Sequence, residues 1–316
     1  MTDKTVLVTG ATGLLGRQTL AAFSSENWNP IGTGFSRANP EKKIHKLDLS
    51  DHDAVTALLD EVKPKALIHC AAERRPDVSA SNPAATQALN IAATSHLAAV
   101  CNARKIFLLY ISTDYVFSGV EGEAPYEVDS QTAPPNFYGE TKLKGEEAVR
   151  EEIERGLRGV VLRVPVLYGE TESGNKESAV NVLLDLVWNK EGKEKVEMDH
   201  WSIRYPTNTE DVARVIKDVT TLYTNTPESE FSKLPTTLQF SAEERMTKYE
   251  ICQTLGEIAG LPTDHIIPND QDDPNAAVKR PKDCHLSTKA LKEIGISVQT
   301  VPFKIWWQRY MRAFKH

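Results

Sequence analysis

The feature that most constrains the fold is a glycine-rich loop near the amino terminus, TGATGLLGR, which places Gly10, Gly13 and Gly16 directly after the short run TVLVTG. An apolar, β-branched run closed by glycine is typical of a buried parallel strand, and a helical pattern follows. In this setting the first glycine permits a tight turn, the second lets the backbone approach a pyrophosphate, and the third lets helix and strand pack closely. The helix amino terminus offers free N–H groups to phosphate. The loop therefore predicts a dinucleotide-binding βα unit.

Strand-like and helical segments alternate from this loop onward. Strict alternation is typical of βαβ units, which build a parallel sheet with helices on both faces. We therefore predict an α/β fold with a Rossmann-type doubly wound parallel sheet. The strands are predicted at 5–10, 30–35, 43–49, 66–72, 106–112 and 159–169, and the helices at 14–25, after Ser50 or Asp51, at 83–103 and at 136–155.

The pattern changes after residue 169, where the chain becomes more polar and richer in loops. We predict that residues 1–169 form an NADP-binding Rossmann domain, to which later segments return. Residues 170–316 are predicted to form a smaller carboxyl-terminal lobe with an aromatic tail, covering the edge of the sheet. Short helices are predicted in this lobe at 176–188, 209–223 and 247–259.

Composition restricts the classes of protein to which the chain can belong. It has 316 residues, 40% of them hydrophobic and 26% charged, and its formal net charge of -7 argues against a broad nucleic-acid-binding surface. No apolar run approaches the roughly 20 residues that span a bilayer. The opening MTDKTVLVTG enters a strand at once, so we expect no signal peptide and no membrane association. Four cysteines without CxxC spacing or paired histidines predict inert thiols, no metal site and a cytoplasmic protein.

The end of the second predicted strand bears on the choice of cofactor. An NAD site usually has an acidic residue there, which binds the ribose 2′-hydroxyl. This chain has GFSRANP instead, with Ser36 and Arg37 and no carboxylate before Glu41. Because a guanidinium matches a 2′-phosphate in charge and geometry, the sequence predicts NADP(H) rather than NAD(H); the alternative is that Arg37 is a solvated surface charge. Asp48 and Leu49, after the third strand, are predicted to contact the adenine ring.

A tyrosine and a lysine in YGETK, Tyr138 and Lys142, lie four residues apart and so share one face of a predicted helix. A lysine beside a phenol favours the phenolate, which predicts a lowered pKa for Tyr138 and proton transfer opposite a moving hydride. The lysine can also hold the nicotinamide ribose. In ISTDYVF, Thr113 and Asp114 follow the fifth strand, at the edge where parallel sheets bind ligands. Thr113 is predicted to polarise a carbonyl; the alternative is a chance tyrosine–lysine pair on a helix surface.

Together, the glycine loop, the threonine and the YxxxK pair resemble the extended short-chain dehydrogenase/reductases over almost the whole chain. STDYVFSG followed by YGETKLKGE resembles the dTDP-4-dehydrorhamnose reductases, which use NAD(P)H to reduce a 4-keto sugar on a nucleotide. This resemblance implies that Thr113, Tyr138 and Lys142 are catalytic. The residues assigned to the NADP site are Gly10, Thr12, Gly13, Leu14, Leu15, Gly16, Phe35, Ser36, Arg37, Asp48, Leu49, Cys70, Ala71, Ala72, Arg74, Tyr138, Lys142 and Leu167.

Three other segments, HCAAERRPDV, MDHWSIRYPT and MTKYE, resemble the regulatory beta subunits of methionine adenosyltransferase. That family has the reductase fold, binds NADP and associates with the catalytic subunit that makes S-adenosylmethionine. The resemblance implies the same role here, and it implies that Arg74 helps to hold the cofactor. For Arg75, a surface ion pair and a binding role stay equally open.

The carboxyl-terminal segment PFKIWWQRYMRAFKH sets aromatic residues at helix-like intervals with arginine and lysine between them. Aromatic residues with interleaved arginine suit an interface anchor. In the regulatory subunits the tail inserts into the catalytic subunit, so the resemblance implies that Trp307, Tyr310, Phe314 and His316 contact that partner. The alternative, a last helix packed on its own lobe, is equally open for residues 303–307.

Two functions from different classes follow from the sequence. The first is an NADP-binding regulatory subunit of methionine adenosyltransferase, which supports S-adenosylmethionine synthesis. The second is an NADPH-dependent reductase of a nucleotide-linked 4-keto-6-deoxy sugar. Thr113, Tyr138 and Lys142 are present in either case, and fold alone does not settle function. The three segments and the aromatic tail favour the regulator.

Overall fold

The computed structural model describes residues 4–188, 195–273 and 275–313. Its strands, in chain order, are β1 (Thr5–Thr9), β2 (Asn29–Gly34), β3 (Ile44–Lys46), β4 (Ala66–His69), β5 (Phe107–Thr113), β6 (Gly159–Val164), β7 (Leu167–Tyr168), β8 (Val196–Asp199), β9 (Thr207–Asn208), β10 (Thr237–Gln239) and β11 (Ile266–Asn269). Seven of them form one parallel sheet in the order β10-β6-β5-β4-β1-β2-β3. The strand order reverses beside β1, which is the switch point where ligands bind in such sheets.

The helices connect these strands across both faces of the sheet. They are α1 (Leu14–Ser24), α2 (His52–Val62), α3 (Pro76–Ser81), α4 (Pro83–Gln87), α5 (Ala93–Ala103), α6 (Phe137–Glu154), α7 (Leu183–Trp188), α8 (Thr209–Asn225), α9 (Glu228–Phe231), α10 (Lys248–Ala259), α11 (Lys289–Glu293) and α12 (Phe303–Tyr310). A π-helical turn, Ala88–Ala92, makes α4 and α5 one continuous rod. None of the helices in the described ranges is long and apolar enough to cross a membrane.

Strand β1 shows why the sheet must be covered on both sides. Val6 and Val8 belong to one hydrophobic core, whereas Leu7 between them belongs to a second core on the opposite face. The first core is closed by α1 and α8, and the second by α2, α5 and α6. Successive side chains of a strand point to opposite faces, so an uninterrupted apolar run needs helices on each. The predicted doubly wound α/β fold is confirmed.

Part of the second half of the chain returns to this sheet. Strand β10 extends the sheet beside β6, and α8 packs along α1. The remaining elements, chiefly α7, β8, β11, α10 and α12, enclose a separate hydrophobic core that includes Leu184, Leu255 and Trp307. These elements form the smaller lobe, which lies at the carboxyl ends of the central strands.

Two predicted elements are wrong. The single strand at 159–169 is broken by Pro165, which has no N–H to donate to a sheet, and the chain beyond it pairs with β9 in a separate two-stranded sheet. The helix at 176–188 is also too long. Residues Asn175–Glu177 form a 3-10 turn, and the α-helix begins only at Leu183.

Candidate functional site

The carboxyl ends of the central strands open into a cleft of about 840 Å³ between the sheet and the smaller lobe. Every residue that the sequence assigned to the NADP site, together with Thr113, lines this one cleft. Such clefts at the switch point of a parallel sheet are the usual position of a dinucleotide. The structure therefore brings the predicted site residues together, although their contacts with a cofactor stay a prediction.

The glycine loop has the close packing that a pyrophosphate cradle requires. Gly10 has a φ of +65°, and a Cβ on it would lie 2.8 Å from the backbone nitrogen of Ala71. A Cβ on Gly16 would lie only 2.2 Å from the carbonyl oxygen of Gly10. Gly13 is the residue that precedes α1, so the first N–H groups of an 11-residue helix face the cleft beside it. Backbone donors without intervening side chains fit the phosphates of a dinucleotide.

A carboxylate and two arginines meet at the outer end of the cleft. The Glu177 carboxylate lies 2.6 Å from Nη2 of Arg17 and 2.5 Å from Nη1 of Arg37. Burial opposes its ionisation, but hydrogen bonds from Arg17, the Glu172 amide and Arg37 outweigh this and lower the pKa of Glu177 to about 2. Beside them the Phe35 ring is 61% exposed, as an adenine-stacking surface would be. No pattern in the sequence singles out Glu177, because its position depends on the fold of the 3-10 turn.

The segment after β4 is held in place by a buried asparagine. Asn90, in the π-helical turn, donates through Nδ2 to the Glu73 carbonyl at 3.0 Å and accepts from the Glu73 amide at 2.9 Å. The same Nδ2 donates to Oγ1 of Thr141 at 3.1 Å. This fixes the chain next to Arg74, which donates to the Glu177 carbonyl. Arg75, whose side chain is exposed, instead forms an ion pair with Glu73 at 2.7 Å. A surface ion pair was one of the two roles that the sequence left open for Arg75.

Tyr138 and Lys142 lie on α6 in the cleft wall, where Lys142 is buried and Tyr138 is half-buried. Burial raises the pKa of Tyr138, while a hydrogen bond with Thr113 and the charge of Arg74 act in the opposite direction. The Lys142 Nζ donates to the Ile111 carbonyl at 2.7 Å, and burial lowers the pKa of Lys142 to about 7. The prediction that Lys142 lowers the pKa of Tyr138 is therefore wrong for this structure, because desolvation of the phenol dominates.

Asp48 and Leu49 also lie at the cleft, beyond the end of β3. Oδ1 of Asp48 accepts from Oγ of Ser50 at 2.7 Å and from its amide at 2.9 Å, and these bonds lower the pKa of the carboxyl group. An ionised carboxylate beside the turn can accept a hydrogen bond from an adenine amine.

The lobe side of the cleft contains charged residues for which no role is predicted from the sequence. Arg204, Lys248 and Arg280 line it opposite Asp114 and Tyr115. Arg204 lies in MDHWSIRYPT and Lys248 in MTKYE. These two segments support the family resemblance, but no chemical role is predicted for them from the sequence. The three basic residues come from separate segments of the lobe, so no local spacing could have placed them together.

The aromatic tail divides into a buried part and an exposed part. Trp307 is completely buried in the core of the smaller lobe, where it stacks on Tyr168 with ring centroids 6.1 Å apart. The prediction that Trp307 contacts a partner is wrong for this structure, because its own lobe covers it. Tyr310 is 37% exposed and stacks on Trp306 at 4.8 Å. The predicted contacts at Phe314 and His316 lie outside the described residues.

Comparison with known proteins agrees with this arrangement. The family model of the RmlD substrate binding domain matches residues 4–313. The chain is 41% identical to methionine adenosyltransferase 2 subunit beta of Rattus norvegicus over 303 residues, covering 96% of this chain and 86% of the relative. It is 40% identical to the same subunit of Danio rerio over 311 residues, covering 98% of this chain and 91% of the relative.

Solved structures share the fold. A dTDP-4-dehydrorhamnose reductase from Bacillus anthracis, in complex with NADP, matches with a TM-score of 0.78 and 23% identity over 98% of this chain and 99% of that one. At this identity the match is informative about the fold alone. From the family model and the curated relatives together, the chain belongs to the RmlD substrate binding domain family and, within it, to the group of methionine adenosyltransferase beta subunits.

Proposed function

We propose that the chain is the NADP-binding regulatory subunit of a methionine adenosyltransferase and supports S-adenosylmethionine synthesis by associating with the catalytic subunit. The observation that carries this proposal is the 41% identity to a methionine adenosyltransferase 2 subunit beta over 96% of the chain. Similarity over 303 residues must include the cleft and most of the smaller lobe, so it is not confined to the nucleotide-binding motif. We place this function in the cytoplasm.

The proposed cofactor is NADP(H), bound along the cleft from the glycine loop to Tyr138. The close packing at Gly10 and Gly16 supports this, since the atoms nearest to a Cβ at either position would be backbone atoms of Ala71 and Gly10. Arg37 is assigned to the 2′-phosphate of the adenosine ribose. Its ion pair with the Glu177 carboxylate at 2.5 Å supports this, since a guanidinium suits either oxyanion. The reductase from Bacillus anthracis with the same fold was solved with NADP.

The proposed partner surface is the outer part of the tail, with Tyr310, Phe314 and His316 as its contacts. Tyr310 supports this because its ring is partly exposed although it stacks on Trp306. Arg309 and Arg312 flank it in the sequence. A rigid aromatic ring beside arginine has the character of an interface hot spot.

The alternative function is reduction of a nucleotide-linked 4-keto-6-deoxy sugar. The presence of Thr113, Tyr138 and Lys142 in one cleft favours it. A bound nicotinamide would supply the hydride. Tyr138 would then donate its proton to the substrate oxygen, Thr113 would orient that oxygen, and Lys142 would hold the ribose.

One experiment separates the two functions. The full chain and Tyr138→Phe are each added to the methionine adenosyltransferase catalytic subunit of the same organism, and S-adenosylmethionine formation is measured. NADPH oxidation with 4-keto-6-deoxy nucleotide sugars is followed in parallel. We expect both forms to change the kinetics of the catalytic subunit and neither to oxidise NADPH. NADPH oxidation that Tyr138→Phe abolishes, without any effect on the catalytic subunit, would establish the reductase instead.

A further inference from the structure

A short segment of the chain reaches across the outer end of the cleft from the lobe side. It consists of residues 170–177, ETESGNKE, lies between β7 and α7, and is called the lid segment below. The lid segment contains no apolar side chain, so its position depends on polar contacts. A segment without apolar burial lies at the low end of local stability. It is therefore the part of the cleft wall that opens most readily.

The two ends of the lid segment are fixed to each other. Asn181 donates through Nδ2 to the Gly169 carbonyl at 2.9 Å and accepts through Oδ1 from the Gly169 amide at 3.4 Å. Oγ of Ser178 donates to the Leu167 carbonyl at 2.7 Å, and both Ser178 and Asn181 are buried. A compact surface loop whose ends are held together can move as a unit. Movement of the lid segment therefore leaves the core of the smaller lobe intact.

Glu177 connects the lid segment to the nucleotide-binding half of the molecule. Its Oε2 accepts from Nη2 of Arg17, on α1, at 2.6 Å, and its Oε1 accepts from Nη1 of Arg37, after β2, at 2.5 Å. Its carbonyl oxygen accepts from Arg74, which follows β4. One residue at the end of the lid segment thus contacts three separate elements beside the switch point of the sheet.

The Glu177 carboxylate and a 2′-phosphate require the same guanidinium. Arg37 is the residue assigned to the 2′-phosphate, and it lines the cleft together with Glu177. A carboxylate and a phosphate use the same donors of a guanidinium, and two anions beside one guanidinium repel each other. The pKa of Glu177 is about 2, so its carboxylate stays ionised at neutral pH. Glu177 therefore opposes binding of a 2′-phosphate for as long as it contacts Arg37.

We propose that Glu177 is the latch of a lid formed by residues 170–177, and that the 2′-phosphate of NADP(H) opens this lid by displacing the Glu177 carboxylate from Arg37. The inference rests on the proposed cofactor and adds to it a residue that sets affinity and specificity. NAD(H) lacks the 2′-phosphate, so it leaves the contact between Glu177 and Arg37 in place. The position of the lid segment thus depends on which dinucleotide is bound.

The first test measures binding of NADP and NAD to the full chain by calorimetry. The variant is Glu177→Gln. The matched control is Glu172→Gln, which removes the same charge from the same segment, where the exposed Glu172 side chain forms only a loose pair with Lys42 at 3.7 Å. We expect Glu177→Gln to bind NADP roughly ten-fold more tightly, because the competing charged hydrogen bond is lost. Its affinity for NAD, and both affinities of the control, should stay within about two-fold of the wild type.

Hydrogen exchange of the lid segment provides a readout that does not depend on affinity. The Glu172 amide donates to Oε2 of Glu177 at 3.2 Å, so a peptide that covers residues 170–177 reports on the latch. Without nucleotide, we expect this peptide to exchange faster in Glu177→Gln than in the wild type, because the contact that holds it is lost. NADP should accelerate its exchange in the wild type, whereas NAD should leave it unchanged.

Three results would overturn the latch and leave the cofactor assignment standing. Weaker binding of NADP by Glu177→Gln would mean that the carboxylate positions Arg37 for the phosphate instead of competing with it. Equal binding of NADP by Glu177→Gln and the wild type would exclude competition. Slower exchange of residues 170–177 on addition of NADP would mean that the cofactor closes the segment. Failure of the wild type and both variants to bind either nucleotide would reject the cofactor assignment itself, and the latch with it.

Discussion

The glycine loop and the aromatic tail carry the most specific predictions from the sequence, and their side chains are placed differently in the structure. The loop residues line one cleft, together with every other residue that the sequence assigned to a cofactor. At the tail, the aromatic residues do not form one surface. Phe303, Trp306 and Trp307 are buried in their own lobe, while Tyr310 remains partly exposed.

The difference has a physical origin. The loop is a local structure: its turn, its close packing and the start of α1 are set by three glycines within seven residues, whatever surrounds them. The tail pattern specifies only that one helix face is apolar. Whether that face is covered by the same chain or by a partner depends on the rest of the lobe, which residues 302–316 do not encode.

The largest expected effect distinguishes the buried part of the tail from its exposed part. Trp307→Ala removes a fully buried side chain from the lobe core and should lower the free energy of unfolding by about 3–5 kcal/mol. Tyr310→Ala, the control on the same helix, should cost about 1 kcal/mol or less because its ring is already partly in solvent. Urea denaturation of both variants measures the contrast. An equal loss of unfolding free energy in the two variants would show that the tail is one structural unit.

A substitution in the glycine loop tests the other region. Gly16→Ala would place a Cβ 2.2 Å from the Gly10 carbonyl oxygen, so the loop must shift. We expect NADP(H) affinity to fall about 100-fold, since a displacement of about 1 Å can cost that much. Gly159→Ala is the control, because its Cβ would meet no atom closer than 3.3 Å. Retained affinity in Gly16→Ala, measured by fluorescence titration, would mean that the loop is only a packing turn.

The extent of correct prediction follows the same division between local and long-range determinants. Strands such as β1 and helices such as α2 could be predicted because an apolar run and a cap at Asp51 are local signals. The break at Pro165 is a local signal too, which the predicted strand at 159–169 does not take into account. Glu177, Arg204 and Lys248 could not be assigned, because the fold brings them to the cleft from distant segments.

The predicted choice of NADP(H) over NAD(H) depends on one residue, Arg37. Arg37→Ala should weaken NADP(H) binding roughly 10- to 100-fold, through loss of a charge-assisted contact with the 2′-phosphate. NAD(H), which lacks that phosphate, should bind within about three-fold of the wild type. Arg155→Ala removes an exposed arginine at the end of α6 and serves as the control. Calorimetry with both nucleotides tests this prediction. An equal loss of affinity for NADP(H) and NAD(H) would rule out recognition of the 2′-phosphate by Arg37.

The smallest effect concerns Glu177, which the sequence did not single out. Its pKa of about 2 is below the ordinary carboxyl value of 4.5, so its ion pairs stabilise the fold above pH 4.5 and this contribution is lost as the pH falls toward 2. Glu177→Gln should therefore cost roughly 1 kcal/mol at pH 7 and progressively less in acid. Unfolding free energies at several pH values test this, and a difference that does not shrink below pH 4 would contradict the assignment.

The proposed regulatory function depends most directly on the outer tail. Truncation after Val301 would remove Trp307 and the core around it, so the cleaner deletion ends the chain after Ala313 and removes only Phe314, Lys315 and His316. An unchanged melting temperature would verify that the lobe is intact. Tyr310→Ala complements the deletion from the described side of the surface.

The deciding measurement is calorimetric binding of the full chain and of this truncated chain to the methionine adenosyltransferase catalytic subunit of the same organism, with NADP present. The account predicts tight binding by the full chain and a loss of roughly 100-fold or more on truncation, as expected when hot-spot contacts are removed. Equal binding by both forms would contradict the tail as anchor. No binding by the full chain at micromolar concentrations would contradict the regulatory function itself.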